Sequence, residues 1–100
     1  MQFVQALDMT PNGDFETINI TNAAASQLGA TYRARAKAVL ITIETNNIRY
    51  RIDGDDPTNL LGHVVFANGG LTFKDPYSLQ QLRMISLAAG GSVAQVTYYK

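Results

Sequence analysis

The sequence predicts an all-β fold: a single-domain antiparallel β-sandwich, jelly-roll-like, of about seven or eight short strands. Three observations predict it. Apolar and polar residues alternate with period two along much of the chain. The alternating runs are short. They are separated by turn-forming clusters at Pro11-Asn12-Gly13, Asn46-Asn47, Asn68-Gly69-Gly70 and Gly90-Gly91. A chain of 100 residues without linker, repeat or composition shift reads as one domain, residues 1–100.

Taken in order, "QFVQAL" (2–7) and "FETINIT" (15–21) are predicted strands flanking the first turn. Residues 22–36 are alanine-rich without a sustained 3.6-residue period, and both a helical turn and an extended run remain open. "KAVLITIET" (37–45) alternates cleanly, as does "IRYRI" (48–52), and Asn46-Asn47 suits a two-residue primed hairpin between them. That hairpin would set Glu44 opposite Arg49 on the outer face and Ile43 opposite Tyr50 on the inner one. Ile48, Tyr50 and Ile52 then face the core, while Arg49 and Arg51 face outward. Residues 63–67 and 71–74 read as a second hairpin, and 82–88 and 92–100 as a third. "DPYSLQQL" (75–82) starts a short helix with Ser78 as cap. On the last strand Tyr98 and Tyr99 alternate faces, so one of them is expected to meet solvent or a partner.

Composition excludes several classes of function. Net charge is zero and charged residues make up 16%, without the basic excess of a nucleic-acid binder. The absence of cysteine removes disulfide scaffolds, thiolate zinc sites and cysteine nucleophiles. No apolar run approaches the roughly 20 residues of a membrane span, and the first residues lack the pattern of a signal peptide. A domain this small is marginally stable alone, which favours self-association or docking.

The "DGDD" stretch at Asp53, Gly54, Asp55 and Asp56 resembles a calcium loop only superficially, because no bidentate acid closes it. It reads instead as a turn that ends one strand and leads into Pro57 and Thr58. His63 has no nucleophile or orienting partner at a recognisable spacing, so no catalytic constellation is expected, and neither cofactor nor metal. Arg33, Arg35 and Lys37 alternate in "YRARAK" and would form a basic edge if extended, continued by Arg49 and Arg51. A solvated strand face explains that stripe most simply, with protein contact through Arg33, Arg35 and Tyr99 as the functional alternative.

The string around the Asn-Asn turn resembles a group of small virion proteins of tailed bacteriophages. The shared pattern is a strand of the type R-x-x-x-I-x-V-E, then I-R-Y-R-x-D-G-x-x-P-T, a short spacer, G-H or G-M, a glycine-containing turn, and a closing strand ending near Tyr-Tyr. Here it is carried by Ile48, Arg49, Tyr50, Arg51, Asp53, Gly54, Pro57, Thr58, Gly62, His63, Tyr98 and Tyr99. The resemblance covers residues 37–66 and the C-terminus well, and roughly the first 30 residues poorly. It implies a non-enzymatic structural role in the virion, as a capsid cement or decoration protein that binds and stabilises the assembled head. The implied partners are the major capsid protein or another virion protein and further copies of the chain, as a dimer or trimer, with no nucleic acid and no membrane. The alternative is a tail- or fibre-associated carbohydrate-binding module using exposed tyrosines and the aspartate-rich loop.

Overall fold

The computed structural model describes residues 11–100; the predicted strand 2–7 lies outside them. The elements are β1 (Pro11–Ile20), α1 (Ala30–Arg35), β2 (Ala38–Ile43), β3 (Ile48–Arg51), β4 (His63–Val65), β5 (Gly70–Phe73), α2 (Pro76–Gln81), β6 (Arg83–Ser86) and β7 (Ser92–Tyr99). They form two antiparallel sheets, one in the order β1-β7-β2-β5 and the other in the order β4-β3-β6.

The alternation seen in sequence selects the inner faces. Val39, Ile41, Ile43, Val96 and Tyr98 from the first sheet meet Ile48, Val65 and Met84 from the second in one buried cluster. Burying large apolar side chains on both inner faces is the main force holding the layers together, at about 1.5–3 kcal/mol for each. The helices close one end, with Leu79 of α2 and the adjoining Leu82 fully buried and Tyr32 of α1 against Tyr98 at 5.3 Å between ring centroids.

The three predicted hairpins are not hairpins. β2 lies in one sheet and β3 in the other, as do β4 and β5, and β6 and β7. Asn46, at φ 56°, turns the chain across the gap between layers, and Asn68 does the same at φ 68°. Glu44 accordingly accepts from Gln95 Nε2 at 3.1 Å instead of meeting Arg49. The physical reason is that period-two alternation specifies which face of a strand is apolar but not which strand lies beside it. β2 is a central strand, and both its ladders go to chain segments far away in sequence, β7 and β5.

Other expectations are corrected locally. Pro11-Asn12-Gly13 is not a turn between strands but part of β1, where the register against β7 shifts between Pro11 and Phe15. Proline and an irregularity are tolerated there because, among the described residues, β1 is the outermost strand of its sheet. Residues 30–35 are helical, so Arg33 and Arg35 do not continue a basic strand edge. The cap of α2 is Asp75, whose Oδ1 accepts from the Tyr77 N–H at 3.1 Å, with Pro76 in the first turn. Ser78 donates to Asp75 Oδ2 and is not itself the cap.

The two edges of the smaller sheet differ. The outer edge of β6 is covered: Ser26 pairs with Met84 through N–H···O bonds of 2.7 and 2.9 Å, and the Ser86 N–H donates to the Thr21 carbonyl. At the other edge, β4 pairs with β3 alone among the described residues.

Candidate functional site: a loop braced by arginines

The residues of the IRYR motif build one loop, 52–62, between β3 and β4. Arg49 and Arg51 point away from the core, as alternation requires, but neither is a free surface cation. Arg49 Nη1 donates to the Gly62 carbonyl at 2.7 Å and its Nε to the Asn59 carbonyl at 3.3 Å, so a single guanidinium holds the far limb of the loop. Arg51 Nε donates to Asp53 Oδ1 at 3.0 Å, and its Nη2 lies 3.6 Å from Asp55. Directly across the ladder from Arg51 stands Arg83, which pairs with Asp56 at 2.9 Å. Two like charges on neighbouring strands would repel; the three aspartates of "DGDD" answer them.

The electrostatics follow that arrangement. The hydrogen bond from Arg51, more than any other influence, holds the Asp53 carboxyl below its usual range, and Asp53 in turn raises Arg51. The pair lies at the solvent-facing surface, so it fixes geometry more than it adds stability. Asp53 Oδ1 also accepts from the Asp55 N–H at 3.3 Å, an Asx-type turn.

Pro57 is buried although it sits in the middle of the loop. Thr58 organises the next turn: its Oγ accepts from the N–H groups of Leu60 and Leu61 at 3.1 and 3.0 Å, and its own N–H donates to the Leu61 carbonyl. Gly62, at φ 129°, returns the chain to β4, and a Cβ there would lie 3.0 Å from the Tyr50 carbonyl and 3.2 Å from Pro57 Cβ. Only glycine fits that approach.

The loop therefore holds Leu60 and Leu61 outward, 79% and 59% exposed. Next to them Val64 and Phe66 face solvent at 40% and 69%. A cleft of about 510 Å³ opens between the two limbs, lined by Arg51, Ile52, Asp53, Leu61, Gly62 and His63. His63 packs on Tyr50 at 5.2 Å between ring centroids. Among the described residues no group of three or more His, Asp or Glu side chains is placed to hold a metal ion.

Several predicted site residues fall elsewhere. Ile52 is not in the core but 37% exposed on the cleft wall, because β3 ends at Arg51 and the chain leaves the ladder there. Ile48 is fully buried, and Tyr50 packs partly buried against the core. Tyr99 is buried with Ala38 and Leu40 on the opposite face of its sheet, so neither terminal tyrosine is open to a partner. Arg33 donates to the Leu28 carbonyl and to Gln80, and Arg35 pairs with Asp14 at 2.8 Å. Sequence reasoning missed Leu60, Leu61 and Phe66. Two adjacent leucines inside a loop bounded by Pro57 and Gly62 were the available signal.

No family model, curated protein or solved structure matches the chain.

Proposed function

We propose that this chain is a non-enzymatic structural protein of a tailed-phage particle, a cement or decoration protein that docks on the assembled head. The observation that carries the reading is the use to which the IRYR motif is put. Arg49, Arg51, Asp53, Pro57, Thr58 and Gly62 fix one loop that presents Leu60 and Leu61 to solvent. A pre-ordered loop with an apolar tip loses little conformational entropy on docking, which suits a clamp that works in many copies.

The strand order supports the jelly-roll form of that reading. Counting the covering segment 21–26 as a strand between β1 and β2, one sheet runs first-eighth-third-sixth and the other second-seventh-fourth-fifth. That is the order of two interlocked Greek keys, an arrangement common to viral capsid and lectin domains. The carbohydrate-binding alternative has less behind it: Tyr99 is buried, and Asp53, Asp55 and Asp56 are engaged by arginines.

A protein that binds only the assembled state stabilises that state by mass action. The expected result in co-sedimentation is binding to assembled capsids and none to free capsid subunits, weakened at least tenfold by Leu60→Ser with Leu61→Ser. Equal affinity for capsids and subunits overturns the assignment.

A further inference from the structure

In the smaller sheet, the β6 edge is covered by residues 21–26 through three main-chain hydrogen bonds. The β4 edge has no such cover among the described residues, and "HVVFA" contains no lysine, arginine or proline to discourage strand addition. Its outward side chains Val64 and Phe66 are apolar and exposed.

We propose that β4 is a self-association edge, at which a second copy of this chain adds antiparallel across a two-fold axis at Val64. The register makes the surface self-complementary. With Val64 opposite its counterpart, His63 stands opposite the partner's Val65, and Phe66 and the partner's Gly62, each one residue beyond its strand, come side by side. Gly62 has no side chain and lines the cleft with Ile52 and Leu61 as well as Arg51, Asp53 and His63, so the ring of Phe66 lies over a bare stretch of backbone beside the apolar part of that rim. Cross-strand aromatic cover of glycine is a recognised stabilising pair. Isologous symmetry makes the same contact twice.

The edge offers apolar surface besides its unpaired backbone. Ile52, Val64 and Phe66 are 37–69% exposed, which leaves Leu60 and Leu61 to the docking proposed above, and each such side chain covered by the second copy contributes at roughly 25 cal/mol per Å². The zero net charge sets no overall repulsion against pairing.

The inference rests on the edge and not on the particle assignment. A monomeric chain that still binds capsids removes the dimer alone; a dimer indifferent to capsids removes the particle assignment alone.

The chain has no cysteine, which permits a direct test of register. Val64→Cys, oxidised in dilute solution, is expected to yield a covalent dimer, because the dyad brings the two Cα atoms within the roughly 4.4–6.8 Å a disulfide spans. Phe66→Cys is expected to stay monomeric under reduction-free denaturing electrophoresis, since its counterpart lies several residues away along the partner strand. Sedimentation equilibrium is expected to show a wild-type dimer, with Phe66→Asp and Val64→Lys each raising Kd at least 100-fold while the circular dichroism of the sandwich is kept. A wild-type chain that is monomeric at about millimolar concentration overturns the proposal. So does a dimer that neither substitution weakens, or one in which Phe66→Cys cross-links and Val64→Cys does not.

Discussion

Tyr98 carries its hydroxyl inward from β7 and donates it to Glu16 Oε2 on β1. The same carboxylate oxygen accepts the Gly29 N–H at 2.8 Å, which ties the entry of α1 to the sheet. Burial, and then the hydrogen bond to Glu16, pushes the Tyr98 phenol well above its ordinary value of 10.0. A raised folded-state pKa contributes stability that is complete below the unfolded value and lost as pH climbs above it, at up to about 1.4 kcal/mol per pH unit. Tyr98→Phe is therefore expected to cost roughly 1–2 kcal/mol at neutral pH, where a carboxylate loses one donor. Urea melts at about pH 8 and about pH 11 are expected to show the wild type losing more stability than the Phe variant over that interval. Equal losses would place the ionisation elsewhere.

Among elements, the three inter-sheet turns support one another at the end of the sandwich opposite the helices. Asn46 Nδ2 donates to the Gly91 carbonyl at 2.7 Å, and the Asn47 carbonyl accepts from the Leu87 N–H at 2.9 Å. Asn47 Oδ1 accepts from the Ala67 N–H at 2.9 Å, so this side chain joins the first turn to the second. Asn47→Ala leaves that partly buried amide without its acceptor, at a cost of about 1–3 kcal/mol. The expected readout is a Tm lowered by roughly 5–15 °C, with amide exchange fastest at Ala67. The positions of these turns were legible, since Asn and Gly announce chain reversal whatever the destination. The destination was not. α1 was illegible for a different reason: six residues span fewer than two turns, too few to establish a helical period. For α2 a signal existed and was misassigned, since Asp75 before Pro76 marks a helix start better than Ser78 does.

At the scale of the whole molecule, the sequence specified the two inner faces and left the partition into sheets open. Ile41, Ile43 and Ile48 were legible as core from alternation alone, and all are buried; that Tyr98 would be the inward tyrosine was not. The loop was legible as a turn rich in arginine and aspartate. That Arg49 would hold its far limb was not, because the Gly62 carbonyl lies thirteen residues on. This partition has a kinetic consequence. Among the described residues, no sequence-adjacent strands joined by a short turn pair with each other; β3 and β4 do pair, but only across the 52–62 loop. Every other ladder must close a long chain loop before any hydrogen bond rewards it. Folding is therefore expected on the millisecond-to-second scale of non-local β-sandwiches, not the microseconds of a local hairpin. The peptide 37–52 gives the sharper test, because it contains both strands that the Asn-Asn turn connects. Alone in water it is expected to show no cross-strand nuclear Overhauser contacts between Ile43 and Tyr50. Those contacts would mean the local hairpin is intrinsically stable and competes with the crossing seen here. Asn46→Gly would then be expected to slow folding of the full chain by favouring that competitor, since Gly-Asn, with glycine at the first central position, suits a type II′ hairpin turn. If the peptide is unstructured, the same substitution should leave the folding rate nearly unchanged and speed unfolding, through loss of the bond to the Gly91 carbonyl.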